Sequence, residues 1–353
     1  MKSFTLKQIT LKGILCLSFL FLTSCGEILN SSSNGCTDQT ACNYDSSAEI
    51  DDGNCQIPSS CDSCSLDSNN ERYTNGSGTL IDGDRDDDGT CNVADLIDIT
   101  YNIDESLPSD WTTEFYVIMN NLMTLIPTYQ TYFPSLTVYA WNDNVTDPYV
   151  GIQGGAYISN QNDLPIMVTE IPNNEFTYDS YHRYSVIAHE YFHVYQRSIS
   201  AAMNKPNNEP DSIDIKWLIE GAAASFESIY IRNYYNNDYF NQQDYVDNAV
   251  STDPSIFESH DSDDKDTNYS SSVFMALVLV KELMKQNIAE EDAFKLLYKT
   301  FMESGATNQN WEEKFESTFN ISVTSFYDSV KTYTPDIDEV LPSSTLTLTQ
   351  IFD

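Results

Sequence analysis

Residues 188–195 read AHEYFHVY. Two of the chain's four histidines, His189 and His193, stand here four positions apart. On a helix they lie one turn apart and point the same way, so both imidazoles can grip one metal ion. Glu190 is rotated from His189 by about 100°, close enough to reach a water beside the metal without being a ligand. Val186, Ile187, Ala188, Phe192 and Val194 can bury one side, which supports a helix over 183–199.

A catalytic zinc needs a third protein ligand and one open position. The metzincins supply a third histidine six residues after the second. That position is Ile199 here, and Gln196 stands where their glycine would be, so that arrangement fails. The stretch KWLIEGAAASFESIY (216–230) offers a carboxylate instead. Glu220 follows His193 by 27 residues, which leaves room for the polar, proline-bearing loop NKPNNEPDS (204–212). Beside the apolar Trp217-Leu218-Ile219 run, its charge is expensive unless paired or metal-bound. Gly221, Ala222, Ala223 and Ala224 are small, so two helices can pack closely there. Glu227 reads either as an exposed helical residue or as a group orienting a ligand. His182 and His260 have no matching partner motif and read as ordinary polar residues.

HEYFHVYQ followed by WLIEGAAASFE resembles the gluzincins, specifically the peptidase MA-like group with HExxH and a WxxEGxA third-ligand motif. The resemblance covers roughly residues 135–335, including a similar tail, WEEKFESTFNISVTSFYDSV (311–330). It implies a thermolysin-like domain: a small sheet, an active-site helix and a mostly helical second half. It implies zinc held by His189, His193 and Glu220, with Glu190 as general base. It further implies a later tyrosine that steadies the oxyanion, best matched by Tyr269, and an edge strand, GGAYIS (154–159), along which a peptide substrate lies. No GxMEN-type motif precedes HEYFH, which argues against an aminopeptidase. The rival reading is a binding or adhesion lipoprotein that keeps the fold with an idle site. The same site chemistry would also permit hydrolysis of a non-peptide amide.

Hydrophobic periodicity around the motif predicts an α+β domain over 105–353. Asp110 is placed to cap a helix with Trp111, Phe115, Ile118, Met119, Leu122 and Ile126 on its apolar face. SLTVYAW (135–141), GGAYIS (154–159) and PIMVTEI (165–171) alternate as strands do. Helical patterns follow over 183–199, 216–234, 270–286, 291–303, 309–319 and 323–333.

The N-terminal third is different in kind. Lys2, Lys7 and Lys12 precede an apolar run, GILCLSFLFLT (13–23), too short for a stable membrane span. Leu22-Thr23-Ser24-Cys25 resembles a bacterial lipobox, which implies cleavage of residues 1–24 and lipid on Cys25. Gly26, where aspartate would signal inner-membrane retention, points to the outer membrane on its periplasmic or cell-surface face. Residues 25–35 then form the lipidated cysteine and its tether, and 36–100 a small Cys-rich and calcium-loop module. Cys36, Cys42, Cys55, Cys61, Cys64 and Cys91 form an even set in an exported segment, which reads as disulfides with 15 connectivities open. Cys61-Asp-Ser-Cys64 is alternatively half a zinc knuckle. CTDQTACNYDSSAEIDDGNC (36–55) resembles a small Cys-rich repeat of exported Bacteroidetes proteins. In DGDRDDDGTCNVADLIDIT (82–100), Asp84, Asp86, Asp88, Asn92 and Asp95 fall at EF-hand ligand spacings, with Gly89 at the sharp turn. The tail NVADLIDI looks like a dockerin or thrombospondin type 3 segment, so structural calcium is expected, with a solvated acidic linker as the alternative.

The formal charge of −37 repels nucleic acid and attracts cations. The expected partners are a peptide or protein substrate and a membrane reached through the lipid; oligomeric state is open.

Overall fold

The computed structural model describes residues 33–66, 71–81, 83, 96–178, 180–206, 209–259 and 265–353. The chain divides into two compact units, Met1–Val93 and Ala94–Asp353. Cys25 of the lipobox-like stretch, the five proposed calcium ligands Asp84, Asp86, Asp88, Asn92 and Asp95, and His260 all lie outside the described residues.

In the smaller unit two short pairs of strands are tied by disulfides. Strand β1 (Asn34–Gly35) pairs in parallel with β2 (Ile50–Asp51), and β3 (Ser63–Cys64) pairs antiparallel with β4 (Leu80–Ile81). Cys36 bonds Cys55, and Cys42 bonds Cys64. Cys61 is disulfide-bonded as well, which removes the zinc-knuckle alternative. Aspartates serve the turns: Asp38, Asp45, Asp51 and Asp52 each accept a backbone N–H two residues on.

The larger unit is α+β. Its sheet has the order β5-β6-β8-β7, formed by Asp98–Ile103, Ser135–Asn142, Leu164–Ile171 and Ala156–Gln161 respectively. The first three run parallel, and β7 is the antiparallel edge. Asn162 and Asp163, both at positive φ, join β7 to β8 in a two-residue hairpin of the kind that matches strand twist. Strand β5 was not expected. Its residues, DITYNI, continue an acidic, aspartate-rich run, so the polar context hid the alternation. Because β5 pairs with β6 along its whole length, the larger unit begins before residue 105.

Helix α1 (Ser109–Leu125) buries Trp111, Phe115, Ile118, Met119 and Leu122, as their spacing dictates. Asp110 sits in its first turn rather than at the cap, which is Pro108. Then come α2 (His182–Ile199), α3 (Lys216–Tyr235) and α4 (Lys265–Lys285). α2 is buried on nearly all sides because α1, α3 and β8 each pack on it. α5 (Glu290–Lys295) and α6 (Phe301–Glu303) are joined by a π-helical turn over Leu296–Thr300. α7 (Trp311–Phe319), α8 (Val323–Val330) and the short α9 (Leu348–Phe352) close the unit. Among the described residues no helix is long and apolar enough to cross a membrane.

Candidate metal centre

Helix α2 carries His189, Glu190 and His193, and α3 carries Glu220. The helices come together because residues 221–224 are small. A Cβ on Gly221 would lie 2.3 Å from the Ser272 carbonyl oxygen of α4, so only glycine permits this approach. α3 is thereby pressed between α2 and α4.

The three ligand atoms meet. His189 Nε2 lies 3.2 Å from His193 Nε2, His193 Nε2 lies 3.1 Å from Glu220 Oε2, and His189 Nε2 lies 3.4 Å from the same oxygen. Two donors each about 2.0–2.1 Å from one tetrahedral metal are separated by about 3.3 Å. The observed triangle is therefore one face of such a tetrahedron, and the group can hold a metal ion.

The proton on His193 is placed by its surroundings. Gln196 is fully buried, and its amide nitrogen donates to the Ile219 carbonyl at 3.3 Å. Its oxygen must then face His193 Nδ1, 2.7 Å away, so Nδ1 carries the proton and Nε2 presents a lone pair to the group. On the other histidine, His189 Nδ1 faces Glu227 Oε2 at 3.4 Å, and the other oxygen of Glu227 accepts from Gln243. Glu227 is buried, which excludes the exposed reading and leaves the orienting one.

The electrostatics are those of a cation site. Burial disfavours a charged imidazole, yet the Glu227 and Glu220 carboxylates hold the pKa of His189 well above its ordinary value. Burial would raise the pKa of Glu220, but the two histidines hold it well below the usual carboxylate range. Burial, aided by the charges of Glu220 and Glu227, pushes Glu190 upward against the pull of the histidines.

Tyr269 joins the site. Its ring stands 5.7 Å from that of His189, edge to face. It lies inside α4, which begins five residues earlier than the periodicity suggested. His182 bonds Glu175 at 2.7 Å and is no ligand of the group.

The metal group opens into a cleft of about 230 Å³. Ala156, Tyr157 and Ile158 of β7 form one wall, and His189, Glu190, His193, Glu220 and Tyr269 another. Gln196 and the cleft's arginine, Arg197, were not singled out as site residues by sequence, and Glu227 was left open between an exposed residue and an orienting one. Gln196 and Glu227 share helical faces with His193 and Glu220, but that spacing alone does not separate a buried partner from a solvated one. No protein-family model matches the chain, and no curated protein is detectably similar to it.

Proposed function

We propose that the larger unit is a zinc metallopeptidase of the gluzincin type, with a thermolysin-like arrangement, exported and held at the outer membrane through lipid on Cys25. The observation that carries this reading is the triangle of His189, His193 and Glu220 beside the buried Glu190, on the wall of a cleft bounded by an edge strand. Two imidazoles and one carboxylate are a hydrolytic zinc's donor set, and because all three line the cleft, a zinc they held would be open to water there. Zinc bound there lowers the pKa of water and polarises a carbonyl.

The chain's own residues supply the rest. Glu190, placed one residue after His189, takes the proton from the attacking water and delivers it to the leaving amine. Burial and the carboxylates of Glu220, Glu190 and Glu227 raise the Tyr269 phenol, so it stays protonated and can donate to the developing oxyanion. Gln196 and Glu227 hold the imidazoles in orientation. Among the described residues β7 pairs with β8 alone, which leaves its other edge for an extended peptide.

The lipobox and the disulfides support an extracytoplasmic setting. The expected activity is endopeptidase-like hydrolysis of peptides. The parent chain should hold about one zinc ion, lost or much weakened by Glu220→Ala. Glu190→Gln should keep the zinc and lose hydrolysis. Peptide cleavage unchanged by Glu190→Gln, or a parent chain that takes up no zinc, would sink the reading and leave a binding lipoprotein.

A further inference from the structure

Three of the chain's 17 basic residues, Arg197, Lys205 and Lys216, line the single cleft that holds the metal group. In a protein carrying 54 acidic residues, a wall of cations beside the reacting groups calls for a reason.

Two of the three are paired. Lys205 lies 3.3 Å from Asp211, and Lys216 lies 2.8 Å from Asp214. Arg197 is not. Its Nε donates to the Met203 carbonyl at 3.2 Å, Nη1 to the Ser159 carbonyl at 3.4 Å and Nη2 to the Asn160 side-chain oxygen at 3.0 Å. All three acceptors are neutral, and one N–H remains on each terminal nitrogen. Arg197 is half-buried, and burial lowers its pKa with no carboxylate to offset the loss. A partly desolvated guanidinium held by neutral oxygens is suited to pair with an anion.

Its position fits a substrate subsite. Arg197 follows His193 by four residues on α2, so it stands about 6 Å further along the helix axis. An extended peptide advances about 3.3 Å per residue, so for a peptide running along α2 that rise spans about two residues from the bond placed at the metal group. Ser159 and Asn160 belong to β7, so Arg197 also anchors the edge strand beside which that peptide would run.

We infer that Arg197, supported by Lys205 and Lys216, binds a carboxylate of the substrate within two residues of the cleaved bond, and so selects acidic peptides. The carboxylate belongs either to an acidic side chain or to a peptide C-terminus. The chain's net negative charge opposes such a ligand at long range. Physiological salt screens that field beyond about 8 Å, and within the cleft Arg197 is the cation held by neutral oxygens alone.

This selectivity rests on the peptidase reading for its cleavage arm, so the test has a binding arm too. The zinc-loaded full-length chain is given paired peptides with Glu or Gln at each position near the scissile bond, and with a free or amidated C-terminus. The expected result is a kcat/KM ratio of about tenfold or more in favour of one acid-bearing peptide, the scale of a charge-assisted hydrogen bond. That ratio should fall toward one in Arg197→Gln and be largely kept in Arg197→Lys. If Arg197 were only a clamp on β7, Arg197→Gln would slow every peptide alike and leave the ratio unchanged, and the inference would be wrong. Should Arg197→Gln not fold, the double variant Lys205→Gln, Lys216→Gln must lower the ratio. The binding arm measures the same peptides on zinc-loaded Glu190→Gln protein. No cleavage by the parent, with an acid preference in binding that Arg197→Gln abolishes, removes the peptidase reading and keeps the carboxylate site. Equal binding and equal cleavage of acidic and neutral peptides overturns the carboxylate site and leaves the peptidase standing.

Discussion

Gln196 decides which nitrogen of His193 faces the metal group. Its amide is pinned at both ends, by the Ile219 carbonyl and by His193 Nδ1. Gln196→Leu leaves the His193 Nδ1–H without its partner and frees the imidazole to turn. Zinc affinity should drop roughly 10- to 100-fold, read by competition with a chelator, whereas Gln196→Glu, which keeps an acceptor, should lose less. A leucine variant that binds zinc like the parent would show that Gln196 orients nothing. The two imidazoles of the group were legible because the four-residue spacing of His189 and His193 puts them on one helix face. Gln196 was not, since buried and solvated glutamines share that spacing. The outer pair Glu175–His182 behaves differently. Burial pushes Glu175 up, but the hydrogen bond and charge of His182, with help from Ser180 and Arg183, hold it below its ordinary range. Burial works against His182, yet Glu175 raises it, with Glu227 adding and His189 opposing. The depressed carboxylate stabilises the fold above its ordinary range and ceases to as pH falls through its lowered pKa. The raised imidazole does so below 6.5 and ceases to as pH rises through its raised pKa. Their joint contribution is therefore greatest in mild acid. His182→Gln should destabilise by on the order of 1 kcal/mol or less, since His182 is exposed. The loss should show in urea unfolding at about pH 5.5 and vanish at about pH 9. An equal loss at both would mean that no charge is involved.

At the scale of elements, the contact of α3 with α4 sets the site's depth. Gly221 stands next to Glu220, and a Cβ there would lie 2.3 Å from the Ser272 carbonyl oxygen and 3.1 Å from Ala276 Cβ. The clash is with helix backbone, so α4 must move away and take Tyr269 with it. Gly221→Ala should destabilise by about 1–3 kcal/mol, measured by thermal or urea unfolding. Stability equal to the parent would mean that α4 shifts without resistance. The run EGAAAS announced this close packing, because small residues have no other evident use in a buried helix. Strands β6, β7 and β8 and helices α2 and α3 were legible because each is an apolar run bounded by polar or turn residues. Strand β5 was hidden by its aspartate-rich neighbours. The π turn between α5 and α6 was hidden as well, since FKLLYKTF reads as one unbroken helix. Asp110 was misplaced by two residues because the helix is capped at Pro108, with its fixed φ.

For the whole molecule, the two units are held together by different forces. In the larger, Trp111, Phe192, Trp217 and Phe274 are among many side chains removed from water, and no cysteine occurs beyond residue 91. In the smaller, the buried apolar side chains among the described residues are Cys36, Ala41 and Cys42. Burial of that extent is worth only a few kcal/mol, well short of the entropy of ordering some fifty residues. The bridges Cys36–Cys55 and Cys42–Cys64 close loops of 19 and 22 residues, each stabilising by about 3 kcal/mol. The even cysteine count announced bridges, but their pairing depends on the path of a chain with almost no hydrophobic pattern. Reduction of the intact protein should therefore raise amide hydrogen exchange across residues 33–81. The sheet, α2 and α3 should stay protected, and zinc content unchanged. Loss of protection in α2 and α3 would mean that the larger unit depends on the bridges. Protection retained across 33–81 would mean that a force other than the disulfides orders the smaller unit, and with so little apolar burial a bound cation among its aspartates would be the first to look for.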